Sequence, residues 1–403
     1  MAFEGLARRF AGLPRLEQAA VIVWYVALLA VLIRAAVAPH RQTVYPVMRA
    51  AAQNWMAGAD LYPDVGVFRY SPPVAAAFVG LAVFPDRVAG VLWRLINAGV
   101  LLGAMAWWLR YFPPHRAASY RWGLGFLCLL PLSLGSLNNA QANPLVIGLL
   151  LAGVVAARTA RWTLAAVCIT GATYFKVYPL AVGLLLALVY PRRFAWRLVA
   201  ALALFWVASL VLQRPAYVLH QYRDWIASVQ ADNRMELPLA NSYRDVWLLL
   251  RLAHAQVSQH AYLLVQLGTA AGVAVVVLAG RWQRWPEGRL LTALFGLACG
   301  WMMAFGPATE SSTYTLFAPA VVTALLLMWE RPAPPALRAV VLLSFGLLVA
   351  AQIANWFPFV KKVHAMGLQP VAALLFLAAM LVIAWRPSLW EGVAPRPPDV
   401  GAT

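Results

Sequence analysis

The chain has 403 residues, of which 63% are hydrophobic and only 11% charged, with a mean hydropathy of +0.71. A soluble domain carries about 25% charged residues to cover its surface, so this composition excludes an ordinary globular protein and leaves an integral membrane protein. The net charge of +18 comes from 29 Arg and three Lys against 14 acids, but the basic residues sit in twos and threes between apolar runs, a pattern of loop anchors and headgroup contacts rather than a nucleic-acid footprint.

The N-terminus MAFEGLARRFAGLPRLEQ has charge but no adjacent cleavage signal, and the apolar run that follows is of full membrane length, so it is expected to remain as a span. Apolar runs occur at 19–38, 88–109, 121–137, 144–157, 161–175, 177–190, 195–212, 261–280, 290–305, 313–329, 338–355 and 368–385. They predict an all-α membrane bundle of about twelve spans. Pro73 to Phe84 and Val246 to Ala255 are too short to span and read as re-entrant or interfacial helices. Residues 1–386 read as one membrane domain and 387–403 as a short cytoplasmic tail. Cys128, Cys168 and Cys299 are isolated inside apolar runs, which argues for packing rather than a disulfide framework or a metal site.

Orientation follows from arginines in short cytoplasmic loops. With Arg8, Arg9 and Arg15 inside, alternation puts Arg110, Arg116, Arg121, Arg158, Arg161, Arg192, Arg193, Arg197, Arg281, Arg284, Arg289, Arg331 and Arg338 on the same side. The opposite side receives residues 39–72, the turn 138–143, the break 176–179, a long loop from Arg214 to His260, the turn 306–312 and residues 355–368. Those segments hold Asp60, Asp64, Asp224, Asp232, Glu236, Asp245, Glu310 and all three lysines. Polar groups at membrane depth are costly unless paired or lining a wet cavity, so binding or chemistry belongs on that face.

Five constellations stand out there. In the first loop Asp60, Tyr62, Asp64, Arg69, Tyr70 and Ser71 precede a double proline, after an interfacial helix over 43–56 that Gly58 ends; a capped surface loop would read the same way. The turn SLNNAQANP carries Asn139, Gln141 and Asn143, carboxamides that could terminate two helices or bond sugar hydroxyls. Lys176, between Tyr174 and Tyr178, interrupts an apolar stretch and must snorkel or meet an anion such as a lipid-linked phosphate. Asn241, Arg244, Asp245 and Arg251 open a short amphipathic element, with Arg244 and Arg251 seven apart and so on one helical face, placed to grip a phosphate. Glu310, followed by Ser311, Ser312, Thr313 and Tyr314, could be a base, an acceptor for a sugar hydroxyl or a partner for an arginine. There is no Walker loop, zinc pattern or nucleophile elbow.

In this order the motifs resemble the polyprenol-phosphate-sugar-dependent glycosyltransferases of the C-type superfamily, most closely glycosyltransferase family 87. Tyr45, Gly58 to Tyr62, and Tyr70 to Pro72 resemble the family's first-loop elements. Ala140, Gln141 and Asn143 resemble its Gly-Gln-x-Asn turn, Lys176, Tyr178 and Pro179 its Lys-x-Tyr-Pro element, and Asn241 through Leu252 its Asn-rich helix start. The resemblance implies inverting transfer of a mannose-like hexose or a pentose from a polyprenyl-phosphate donor to a lipid or glycan acceptor at the extracytoplasmic face of a bacterial inner membrane, both termini being cytoplasmic. It implies no cofactor beyond the lipid-linked donor and no metal. Where the family places an Asp early in the first loop, this chain has His40, Arg41, Gln42 and Thr43. Asp60, Asp64 or Glu310 is therefore expected as the base, with Lys176, Arg244 and Arg251 on the phosphate, Asn139, Gln141 and Asn143 on sugar hydroxyls, and Tyr62 and Tyr70 along an acceptor groove. A non-catalytic polyprenyl-lipid binder of the same fold is the alternative; a secondary transporter is the third reading, weakened because only one interrupted helix is evident.

Overall fold

Apolar side chains all round a helix are stable only against lipid or other helices, and in the computed structural model the described residues accordingly form helices joined by turns, with no strand among them. These are 10–64, 67–112, 120–231, 237–307, 309–354, 362–363 and 366–391. The expected outer-face residues Asp232, Glu236 and Lys361, the inner-face Arg8, Arg9 and Arg116, and the tail from 392 onward lie outside them, as does the Arg121 side chain.

Each of the twelve apolar runs carries a helix. Seven are long and apolar enough to cross a membrane: α1 (Arg15–Val37), α4 (Asp86–Tyr111), α9 (Trp196–Leu212) with the π turn before it, α12 (Gln259–Trp282), α14 (Ala318–Glu330) with the 3₁₀ turn Ser311–Phe317 before it, α15 (Pro335–Ala354) and α16 (Leu368–Trp385). The others are α5 (Tyr120–Asn138), α6 (Asn143–Arg158), α7 (Trp162–Phe175), α8 (Leu180–Val189) and α13 (Glu287–Ala304). At 1.5 Å per residue α6 and α7 reach only about 21–24 Å, less than the roughly 30 Å hydrocarbon core. Such short helices are viable where their polar ends are buried in protein, and both converge at one end of the bundle, at Asn143 and Phe175.

The first-loop helix α2 (Tyr45–Ala57) ends at Gly58, whose φ of 67° supplies the left-handed stop. It packs against α3 (Pro72–Ala82). The short helix expected at Val246 to Ala255 forms as the seven-residue α11 (Val246–Leu252), and the rest of the segment read as a loop from Arg214 to His260 also holds a 17-residue helix, α10 (Pro215–Ala231). In α10, Val218, Gln221, Trp225 and Ser228 recur at helical spacing and face the protein, which brings this helix down over the first loop.

Helices α6, α13 and α14 are almost wholly buried, whereas α1, α9 and α12 expose Val, Leu and Trp side chains to the lipid. Where apolar surface gains nothing by leaving lipid, close backbone approach supplies the contact energy. A Cβ on Gly148 of α6 would lie 2.8 Å from the Val100 side chain of α4, and one on Gly300 of α13 would lie 2.6 Å from Leu377 of α16.

Basic residues gather at the end of the bundle opposite Asn143 and Phe175. Buried Arg158 bonds Glu287 at 3.4 Å and the Tyr111 carbonyl at 2.9 Å, Tyr190 donates to Glu287 at 2.7 Å, and Arg193 and Arg161 lie over Trp162 and Trp107. The C-terminal segment begins packed rather than free: Leu389 and Trp390 are buried, and the Trp390 indole donates to Ile383 O at 2.8 Å. The cysteines form no disulfide, and the described residues hold no cluster of metal-ligating side chains.

Candidate active site

Helix ends expose unpaired backbone groups, and here α4 supplies their partners. The Arg94 guanidinium, buried in α4, donates to the Asn138 carbonyl at the end of α5 at 2.8 Å and to Gly90 O at 2.9 Å. The Trp93 indole donates to Ala140 O at 2.9 Å, and Asn97 Oδ1 accepts from Leu145 N at 3.1 Å. The turn 138–143 is thereby fixed with Ala140 at φ 55°, a left-handed conformation that costs an L residue about 1 kcal/mol. Ala140→Gly is expected to raise the thermal melting temperature, by stabilisation of up to about 1 kcal/mol; a lowered melting temperature would show that the Ala140 methyl contributes packing that outweighs the backbone cost.

This turn holds a second one. Glu310 caps the 3₁₀ turn reciprocally with Thr313, its carboxylate accepting from the Thr313 N–H and the Thr313 hydroxyl accepting from Glu310 N. Ser136 Oγ and Asn143 Nδ2 each donate to Ser312 O at 2.9 Å, while Gln352 of α15 and Gln369 of α16 donate to Ser311 O at 3.3 and 3.1 Å. Four helices thus fix the position of Glu310.

The first loop brings in the cation. Arg69 Nη1 lies 2.9 Å from Glu310 Oε1, and its own carbonyl accepts from the Trp225 indole of α10 at 3.2 Å. Tyr62 OH donates to Tyr70 O at 2.8 Å, and Ser71 Oγ to Tyr174 O at 2.6 Å, so the segment is clamped on both sides. Lys176 lies in extended backbone between α7 and α8, outside both helices, with Nζ 3.3 Å from Thr313 Oγ1 and 5.6 Å from the Tyr178 ring centre. Burial pushes its ammonium down to about 8, against the pull of Glu310 and with a smaller downward push from Arg69.

Two cavities meet at this cluster. One, of about 290 Å³, is lined by Arg69, Tyr70, Lys176, Tyr178 and Glu310 at its polar part and by Val44, Val47, Met48, Phe175, Val177 and Trp225 elsewhere. The other, of about 840 Å³, is lined by Asn138, Asn139, Gln141, Asn241, Ser242, Arg34, Gln42, Arg244, Glu310, Ser311, Ser312 and Gln352. Gln141 and Glu310 line both, and Glu310 is the only carboxylate in either lining among the described residues.

The structure therefore brings together Arg69, Tyr70, Gln141, Lys176, Tyr178 and Glu310 on one side and Asn139, Asn241 and Arg244 on the other. Asp60, Asp64, Tyr62, Asn143 and Arg251 lie outside both linings. Exposed Asp60 accepts from Tyr62 N at 2.9 Å in a local turn, while the Asp64 side chain is exposed. Buried Asn143 spends its amide on Ser312 O, and Arg251 donates to Leu237 O at 2.6 Å. The shared helical face expected for Arg244 and Arg251 does not form, because Asp245 is extended (φ −124°, ψ −173°) and α11 begins only after it. Arg244 instead donates to Leu239 O and Ala240 O from a buried position on the larger cavity. Burial pushes the Asp245 carboxyl up to about 7, beside Tyr262 and Tyr314.

Arg34, Gln42, Trp225, Ser228, Tyr243 and Gln352 line the cavities without having been singled out as site residues in the sequence. The helical spacing in α10 was the signal for Trp225 and Ser228, and an arginine interrupting the end of the first apolar run was the signal for Arg34. Nothing local marks Gln352, which comes from a distant helix.

A family model described as glycosyltransferase family 87 matches residues 68–307, more than half of the chain. The matched stretch contains Arg69, Tyr70, Gln141, Lys176 and Arg244 and ends just before Glu310. No protein of curated function matches the chain.

Proposed function

Because the chain belongs to glycosyltransferase family 87, we propose that it transfers a sugar, a mannose-like hexose or a pentose, from a polyprenyl-phosphate donor to a lipid or glycan acceptor with inversion. The observation that carries this reading is the junction at Glu310 and Gln141 of a largely apolar cavity holding two cations with a larger one rich in amides. The apolar cavity suits the isoprenoid end of the donor, with Lys176 and Arg69 beside its phosphate; the amides of Asn139, Gln141 and Asn241 suit sugar hydroxyls.

In this mechanism Glu310 accepts the proton of the acceptor hydroxyl as its oxygen attacks the anomeric carbon. The bond from that carbon to the phosphate oxygen breaks, and polyprenyl phosphate leaves with the electron pair. Its developing charge is met by the ammonium and guanidinium, so the leaving group needs no proton. The donor carries its own activated bond, and the reading uses no cofactor. Arg69 holds the Glu310 carboxylate in place through their ion pair in the resting site. The arginine-rich end of the bundle, under the charge rule for short loops, faces the cytoplasm of a bacterial inner membrane, which puts both termini inside and the cavities outside.

The test is purified protein in lipid nanodiscs, supplied with polyprenyl-phosphate [¹⁴C]mannose and an envelope lipid extract. Label moving into a new lipid or glycan supports the transferase. Saturable donor binding with no transfer to any extract or pentose-donor counterpart would favour the non-catalytic lipid binder, to which the absence of an Asp in the 40–43 segment also points.

A further inference from the structure

At the arginine-rich end of the bundle, two apolar furrows on the surface of α16 share one cation. The first, of about 350 Å³, lies between α15 and α16 and is lined by Leu337, Val340, Ala379, Val382 and Arg386. The second, of about 490 Å³, is lined by Leu381, Val382, Trp385, Pro387 and again Arg386. Gln369, which bonds Ser311 O beside Glu310, stands at the other end of the same helix, so the furrows are about 25 Å from the candidate active site. Neither lining contains an acid. The Arg386 side chain is exposed and makes no hydrogen bond or ion pair among the described residues. Arg338, next to Leu337 in α15, is a second exposed cation at this end. The surroundings are fixed. The turn Pro387–Leu389 that follows α16 is pinned by the Trp390 indole on Ile383 O at 2.8 Å and by Arg331 Nη1 on Glu391 O at 2.5 Å. Trp385 meets the Trp285 ring edge to face at 5.1 Å, and the Arg289 guanidinium lies 3.9 Å from that ring's centre. Trp385 and Trp329 are exposed, as indoles at the depth of lipid headgroups are.

We propose that this end of α16 binds a diacyl phospholipid of net negative charge, with its phosphate on Arg386 and one acyl chain in each furrow. A guanidinium beside apolar surface at headgroup depth needs a counter-ion, and a phosphate diester offers its planar fork two oxygens at once. Two apolar furrows that meet at one cation match a molecule whose two chains join at one anion. A zwitterionic headgroup would add an ammonium for which the linings hold no carboxylate, so the charge of the site favours an anionic lipid. The proposal does not depend on the transferase reading.

The experiment is photo-crosslinking of the full chain in phosphatidylcholine nanodiscs that contain a trace of phosphatidylglycerol with a diazirine in one acyl chain. The matching phosphatidylcholine probe serves as the reference, and labelled peptides are mapped after digestion. Peptides covering 334–340 and 378–387 should take up the anionic probe about fivefold or more over the reference, the scale of one arginine at an anionic surface. Unlabelled phosphatidylglycerol should compete and added phosphatidylcholine should not. Arg386→Gln should bring the ratio at these peptides close to one, and Arg386→Lys should keep part of it as a point charge. Melting temperatures establish that both variants are folded. Equal labelling by the two probes would mark an ordinary lipid boundary and overturn the proposal, as would a ratio unmoved in folded Arg386→Gln. Absence of label at these peptides in particles that hold two protein chains would assign the furrows to a second copy and overturn it as well.

Discussion

Replacing Glu310 by Gln is expected to lower turnover about a thousandfold, the usual scale for a removed general base, while binding of polyprenyl-phosphate sugar changes by much less. The amide keeps the shape and most hydrogen bonds of the cap but cannot take a proton. Asp60→Asn and Asp64→Asn are expected to leave transfer near its original rate, since neither side chain lines a cavity and Asp60 is spent on a local turn with Tyr62. The measurement is initial transfer rate at saturating donor, with donor affinity determined in parallel. Full activity in Glu310→Gln, or complete loss in Asp60→Asn, would remove Glu310 from the role of base. Because Glu310 also fixes the 3₁₀ turn and pairs with Arg69, Glu310→Asp serves as the companion variant: it keeps the carboxylate and should retain part of the rate.

The second large effect is at Lys176. Lys176→Ala should weaken donor binding roughly ten- to a hundredfold, the range for a charged hydrogen bond to phosphate. The native protein should also show a pH dependence with a definite sign. Burial holds the Lys176 ammonium down to about 8, so the cation is present below that pH and lost above it. Donor affinity should hold on the acid side of about 8 and fall as the pH rises past it, with the midpoint displaced upward once bound phosphate stabilises the ammonium. A second cation, Arg69, lines the same cavity, so binding should level off rather than vanish. A flat affinity from pH 7 to 10, or a Lys176→Ala protein that keeps the same pH profile, would show that Lys176 does not contact the phosphate.

The helices themselves were legible from local pattern alone. Twelve apolar runs became twelve helices because a chain in lipid must satisfy its backbone within each segment, whatever its neighbours are. Lys176 was legible for the same reason: a lone ammonium in about thirty apolar residues has few tolerable surroundings. The helix α10 was not, since the Arg, Asp and Gln content of its stretch reads as loop although Val218, Gln221, Trp225 and Ser228 recur at helical spacing, and docking against Ala59, Leu61 and Arg69 decides which face is covered.

Sequence alone established a polytopic membrane bundle and marked the polar turns from which some cavity-lining residues come, because hydropathy and charge act residue by residue against a uniform solvent. Which of those polar residues share a cavity was decided only by tertiary structure. Asp60 and Glu310 are equally plausible carboxylates along the chain, yet Arg69 pairs with Glu310 while Ser136, Asn143, Gln352 and Gln369 hold the adjoining Ser311 and Ser312 carbonyls. Arg244 and Arg251 share a helical spacing, yet one extended residue at Asp245 sends them apart. Bonds between residues separated by 41 to 241 positions leave no periodic mark in a sequence, and the backbone direction at a helix start is set by what the helix docks against.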